Sequence, residues 1–331
     1  MHIKFNLSKI ILAWYDNNKR SLPWRVQNNH KHAVYFRILS EFMLQQTQVQ
    51  TVIPYFNRFI DKYPNLKSLS RAKEKDVMKM WEGLGYYRRA RFLLASAKKL
   101  EKNNFKLPRD FNEIKKLPGV GDYTSNVLLA LIYNNPTIAF DGNVKRIFSR
   151  ILNKNENLLN QDKIKNDNQR TFFSHNRNSD FVEALMEFGA LICRPKPLCE
   201  NCPIKKNCLF KNSKTVSITK AKIKKTTKKL DIFCYITKRK QIGLTKKNNF
   251  GFLKDFLIPK IRIREKNNKK NWSLLKNYSN SISNKKLDIN LYYKFSKTIP
   301  KNFEWHLIGS NKEIIPSFTK KIISHIEDLY L

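Results

Sequence analysis

A chain of 331 residues that is 41% hydrophobic and 12% aromatic can fill more than one core, which excludes a disordered or fibrous polymer. It contains no continuous apolar run of membrane-spanning length. The N-terminal segment MHIKFNLSKIILAWYDNNKR sets charges around a short apolar patch without a small-residue cleavage site, so a soluble, cytoplasmic protein is expected. The formal charge of +39 favours a polyanionic partner, nucleic acid first; the alternative is a compositional bias, because Lys and Asn crowd every loop.

In chain order, residues 7 to 210 have a helical pattern. Apolar residues recur at three and four, as at Val34, Ile38 and Phe42, then at Val49, Val52 and Ile53. Pro64, Pro108, Pro118 and Pro136 punctuate this region, and no strand-like alternation is found in it. Residues 211 to 229, KNSKTVSITKAKIKKTTKK, are basic and free of aromatics and predict a linker. From 230 to 331 the texture changes to short β-favouring runs, DIFCYITK, QIGLTK, FLIPKI and INLYYKF, followed by the amphipathic stretch FTKKIISHIEDLYL. A small α+β domain is predicted there.

Three features carry chemistry. Cys193, Cys199, Cys202 and Cys208 form a C-x5-C-x2-C-x5-C array stiffened by Pro195, Pro197 and Pro203, the donor set of either a 4Fe-4S cluster or a zinc ion. Residues 113 to 133 give helix, PGVG turn, helix. Gly119 and Gly121 permit the tight turn, and the amides opening the second helix can receive a phosphate oxygen; an ordinary αα-turn is the alternative. The carboxylates Glu41, in SEFMLQQTQVQ, and Asp141, before GNVKRIFSRIL, are the third. Glu41 is either a partly buried acid with a raised pKa or an exposed residue of an amphipathic helix, and Asp141 suffices as a helix N-cap.

Taken in order, LPWR (22 to 25), SEFMLQQTQVQTVIPYF (40 to 56), MWEGLGYYRRAR (80 to 91), LPGVGDYT (117 to 124), FDGNVKRI (140 to 147), FVEALMEFGALIC (181 to 193) and the Cys array resemble the adenine DNA glycosylase (MutY) family of helix-hairpin-helix glycosylases. The resemblance implies a mainly α protein: a two-lobed all-α catalytic domain (1 to 210) with a 4Fe-4S cluster on the four cysteines, then a linker and a small α+β Nudix-like recognition domain (230 to 331). It implies a monomer that acts on double-stranded DNA holding adenine opposite 8-oxoguanine or guanine. The target base is flipped out, Glu41 protonates it, and Asp141 stabilises the oxocarbenium-like sugar or bonds to it. By the same resemblance Asn143 lies beside Asp141, Arg25 and Glu183 border the adenine, and Gln46 and Tyr86 enter the duplex. Leu117, Gly119, Val120, Gly121 and Lys145 contact DNA, and Ser283 belongs to the loop that reads 8-oxoguanine.

Tyr123 stands where endonuclease III-like enzymes carry a Schiff-base Lys, and a phenol cannot form an imine, so a monofunctional glycosylase that leaves an abasic site is expected. Two departures stand out. The first cysteine spacing is five residues where the family has six, and of the family's Phe-Ser-His reading loop only Ser283 is retained among Ile282, Ser283 and Asn284. No Glu-rich Nudix box is present, so the second domain is not expected to hydrolyse nucleotides.

Overall fold

The structure is a computed structural model that describes residues 2–27, 29–173, 176–212, 227–247, 253, 256–265, 271–282, 285–310 and 313–330. The chain divides into two units, Met1–Met80 with Tyr86–Ile218, and Trp81–Gly85 with Thr219–Leu331.

The helices of the first unit are α1 (Leu7–Asn18), α2 (Ala33–Leu44), α3 (Val49–Lys62), α4 (Leu66–Ser70), α5 (Glu74–Met80), α6 (Arg88–Glu101), α7 (Phe111–Lys115), α8 (Asp122–Tyr133), α9 (Gly142–Leu152), α10 (Gln161–Asp167), α11 (Gln169–Phe172), α12 (Asn178–Leu191) and α13 (Leu209–Asn212). As its periodicity predicts, no strand occurs among its described residues. One core gathers Leu7, Ile11 and Tyr15 of α1, Val144, Ile147, Phe148 and Ile151 of α9, and Phe181, Leu185 and Phe188 of α12. These recur at three and four along each helix, so one stripe of each is removed from water. A smaller cluster joins Val127, Ala130 and Leu131 of α8 to Ala139 and Val182, with Tyr123 and Met186 packed on it. Helix α2 differs: Ile38, Leu39, Ser40, Glu41, Phe42 and Met43 are buried in succession, so the helix is enclosed on nearly every side.

The second unit holds a sheet in the order β4-β5-β1-β2-β6, with β3 also paired to β1. Its strands are β1 (Thr227–Thr237), β2 (Gln241–Leu244), β3 (Lys260–Ile263), β4 (Ser273–Ile282), β5 (Lys285–Phe295) and β6 (Glu304–Leu307), and helix α14 (Ser317–Glu327) follows. Alternate residues Leu230, Ile232, Cys234 and Ile236 of β1 join Leu287, Ile289 and Leu291 of β5 and Phe318, Ile322 and Ile326 of α14 in one core. On the other face, Phe233 stacks on Tyr292 with ring centroids 5.3 Å apart. Residues Thr227, Lys228 and Lys229, expected in the linker, instead open β1 and pair in parallel with Lys286, Leu287 and Asp288. Strand pairing satisfies backbone groups whatever the side chains are, so a basic, apolar-poor segment joins the sheet. The strands β4 and β6 were not expected either. Among the described residues no helix is long and apolar enough to cross a membrane.

Candidate active site

Three helices bring the predicted catalytic residues together in the first unit: α2 carries Glu41, α8 carries Tyr123, and α9 begins at Asp141. Glu41 is only 7% exposed. Burial raises its pKa to about 8; Arg37 opposes that shift, and the negative fields of Asp141 and Glu183 add to it. Among the described residues no hydrogen bond from the protein ties its carboxyl. It is thus held protonated at neutral pH by its surroundings rather than by a partner.

Asp141 is treated differently. As N-cap of α9 it accepts the Val144 amide at 2.7 Å, and its other oxygen accepts the Asn143 side-chain amide at 3.2 Å. Burial raises its pKa, while the Val144 and Asn143 bonds and Arg146 pull it back down. The helix N-terminus favours the charged form. The two carboxyls thus have contrasting environments, one desolvated and the other hydrogen-bonded. Tyr123 lies within the field of both: burial first, then Glu41 and Asp141, push its phenol above its ordinary range. Its hydroxyl lies 3.9 Å from the Met186 sulfur.

Asn143 is itself fixed. Its carbonyl oxygen accepts from Arg146 Nη2 at 2.6 Å, and Arg146 also donates to the carbonyls of Gly189 (2.9 Å) and Cys193 (2.8 Å). Gly189 of α12 makes this packing possible, because a Cβ placed there would fall 2.7 Å from Asn143 Cβ. Gly189→Ala is therefore expected to displace Asn143 and, through it, Asp141. A loss of about 1–3 kcal/mol in a denaturant melt should accompany at least a tenfold fall in reaction rate.

Glu183 of α12 accepts from Tyr15 at 2.5 Å and from Arg37, and lies 3.5 Å from Arg25 Nε. Next to it, Glu187 receives Arg20 Nε at 2.6 Å and Arg25 Nη2 at 2.7 Å. Burial works against the Glu187 charge, but the two guanidiniums win and lower its pKa to about 2. Arg25 is thus anchored between Glu183 and Glu187. Sequence reasoning missed Tyr15, Arg20, Arg37 and Glu187. Arg37 and Glu187 had a signal, since each stands four residues along a helix from a predicted site residue, Glu41 and Glu183 respectively.

The turn between α7 and α8 is tight. Gly119 has φ +76°, and a Cβ on it would meet Phe92 at 2.7 Å, so both backbone and space demand glycine. Gly121, the N-cap of α8, was expected to be needed for the turn as well, but its φ of −108° suits any residue and a Cβ on it would meet nothing within 4 Å, so Gly119 alone demands glycine. Leu117 and Val120 are buried supports of the turn. Lys145 is half-buried on α9. Gln46 is exposed and left-handed (φ +59°), and Tyr86 is left-handed (φ +48°) and 44% exposed. Ser283 lies outside the described residues.

Cys193, Cys199, Cys202 and Cys208 line one pocket together with Ile147, Phe188, Ile204 and Arg150. None of the four forms a disulfide. Arg150 Nη1 lies 3.3 Å from the Cys193 sulfur and also binds the Arg194 carbonyl at 2.6 Å. Among the described residues no group of three His, Cys, Asp or Glu side chains is arranged to hold a single metal ion.

Residues 39–172 match the model of the HhH-GPD superfamily of base excision DNA repair proteins. The chain is similar to the thermostable thymine-DNA glycosylase of known structure, with a TM-score of 0.54 and 25% identity over 62% of this chain and 94% of that one. The fold and its hairpin thus define a DNA glycosylase. Over 96% of its length the chain is 33% identical to the adenine DNA glycosylase of Buchnera aphidicola subsp. Baizongia pistaciae, 95% of which is covered. It is 36% identical to the adenine DNA glycosylase of the Acyrthosiphon pisum subspecies, over 79% of this chain and 76% of that protein. The chain belongs to the adenine DNA glycosylase family.

Proposed function

We propose that this DNA glycosylase releases adenine mispaired with 8-oxoguanine or guanine from double-stranded DNA. The observation that carries the reading is the contrast between the two carboxyls: Glu41, kept protonated by burial, can deliver a proton, and Asp141, hydrogen-bonded at a helix N-terminus, can remain an anion.

In the proposed reaction the adenine is flipped out of the stack, because its glycosidic bond is inaccessible inside the duplex. Arg25 and Glu183 border the flipped base, and their ion pairs with Arg37 and Glu187 stiffen that wall. Glu41 gives its proton to N7, so the electron pair of the breaking N9–C1′ bond leaves with a neutral base. The cationic sugar is stabilised by the Asp141 carboxylate, aligned by Asn143, or is captured by it covalently. Water then adds its hydroxyl to C1′, and its proton restores Glu41. Tyr123 sits beside both acids and offers no amine, so the product is an intact strand with an abasic site.

Gln46 and Tyr86, both exposed and left-handed, enter the duplex at the lesion. The amides of Gly119 and Gly121 are offered to a phosphate, while those of Leu117 and Val120 hold the turn closed by donating to the Ile114 and Leu117 carbonyls; Lys145 is an additional cation on α9. Lys115 lies 2.5 Å from Asp122 and offsets the one acidic side chain in the first turn of α8. The four-cysteine pocket fits a 4Fe-4S cluster: the donors are all sulfur, the wall is largely apolar, and Arg150 faces the Cys193 sulfur. Burial raises the Cys202 thiol to about 11, so a cationic group is needed to hold it as thiolate. When bound, the cluster supplies a structural cross-link of the 193–208 loop. The second unit is read as a Nudix-like domain, with Ser283 as a residue that reads 8-oxoguanine, and the enzyme as a monomer.

Single-turnover assays on a duplex carrying adenine opposite 8-oxoguanine test this reading. Free adenine and an unnicked abasic strand are expected, with no protein-DNA adduct on borohydride reduction. Strand cleavage with a trapped adduct at lyase-like yield would overturn it.

A further inference from the structure

Helix α2 ends without glycine or asparagine at its C-terminus. It stops at Leu44, and Gln45 leaves the helix at φ −53°, ψ 109°. The last carbonyls of a helix need donors. Here Arg89 of α6 supplies them: its Nη1 donates to the carbonyls of Phe42 (2.9 Å), Met43 (2.7 Å) and Gln45 (2.7 Å). Its Nη2 reaches the Thr47 hydroxyl at 3.1 Å. Gln46 lies between two residues held by this one guanidinium. The same group sits 5.4 Å from the centroid of the Tyr86 ring, and the Arg89 amide donates to the Tyr86 carbonyl at 2.9 Å.

Arg89 is 6% exposed. Burying a cation is costly, and here the carbonyl dipoles at a helix C-terminus compensate for it. Gln46 and Tyr86 are also non-glycine residues with positive φ, a conformation that persists only where the surroundings impose it.

We propose that Arg89 is a positioning residue that holds Gln46 and Tyr86, which approach the DNA from different segments, as one rigid wedge. This rests on the reading above that these two residues enter the duplex. The guanidinium reaches α2 only at the backbone of its last turn, at the Phe42 and Met43 carbonyls, and makes no bond to the Glu41 side chain. The role belongs to lesion engagement and not to bond cleavage.

The test uses the full chain with Arg89→Met and Arg89→Lys, the latter keeping charge but losing the fork that serves four acceptors. Measured quantities are affinity for a duplex with a non-cleavable adenine analogue opposite 8-oxoguanine, fluorescence of 2-aminopurine at the target position, and single-turnover rate at saturating enzyme. All are corrected for the active fraction by titration. For Arg89→Met, affinity and the flipping signal are expected to fall about tenfold, with the saturated rate within about threefold of wild type; Arg89→Lys should fall between the two. A purely structural role would change the active fraction and leave the affinity of the active molecules intact. In the double variant Gln46→Ala with Tyr86→Ala, which has lost both side chains of the wedge, adding Arg89→Met should cost less than about twofold more. Wild-type affinity in Arg89→Met, or an effect of Arg89→Met that multiplies with that of the double variant, would overturn the proposal. If Gln46→Ala and Tyr86→Ala both bind like wild type, the duplex-entry reading fails and takes the proposal with it. If they weaken binding and Arg89→Met does not, only the proposal fails.

Discussion

Glu41→Gln is expected to reduce single-turnover release of adenine by about 10²–10⁴-fold while leaving duplex affinity nearly unchanged. The amide keeps the volume and polarity of the side chain and has no proton to give. The pH dependence makes the assignment specific. The buried carboxyl titrates at about 8, so the wild-type rate should fall as pH rises through that value, when the acid is lost. The residual rate of Glu41→Gln should lack that alkaline limb. In Glu41→Gln, stability at high pH should move the opposite way to activity. A carboxyl whose folded pKa is raised favours folding through its protonated form; that contribution is complete below the unfolded pKa and is lost as pH rises through about 8. Glu41→Gln carries no charge at any pH, so in denaturant melts it should be nearly as stable as wild type at pH 4 and clearly more stable at pH 9. An unchanged pH-rate profile, or a mutant less stable than wild type at high pH, would remove Glu41 from the role of acid.

The parts of this site that were legible in the sequence are those set by local chain chemistry. The PGVG turn needs Gly119 for its positive φ, and Asp141 followed by Gly-Asn marks a helix start. Periodicity found the helices, but it could not show that α2 is enclosed on nearly all sides, and that enclosure turns Glu41 from a surface residue into a proton donor. Nor could it join Tyr15 to Glu183, Arg20 to Glu187 or Arg89 to the end of α2, because those bonds link segments far apart in the chain. In the second unit, β1 and β5 carry apolar alternation and were readable. Strand β4, SLLKNYSNSI, is largely polar and exposed at the sheet edge, so nothing in its composition separates it from a loop. Its pairing with β5 alone makes it a strand.

Asp141→Asn separates the two functions that one side chain combines. Asparagine is as good an N-cap as aspartate, and its oxygen can still accept the Val144 amide, but its NH2 cannot accept from Asn143, so a destabilisation of no more than about 1 kcal/mol is expected. The negative charge, however, is gone. Electrostatic stabilisation of a developing cation by one preorganised group is worth about 10²–10³ in rate, and a loss of that size is expected under single turnover. Asp141→Ala removes the cap as well and should add about 1 kcal/mol of destabilisation to a similar loss of rate. The pH profile supplies an independent check. Burial raises the Asp141 pKa despite its hydrogen bonds, so the wild-type acid limb should lie above the ordinary carboxylate range, with the rate falling as pH drops through it and the carboxylate protonates. The residual activity of Asp141→Asn should lose that limb and retain the alkaline one set by Glu41. If Asp141→Asn turns over at the wild-type rate, Asp141 is a helix cap and the cation must be stabilised by another group; if the rate falls together with a larger loss of stability than this in Asp141→Asn, the cap geometry has failed and the loss of rate says nothing about charge until Asp141→Ser, which also caps, is compared with it.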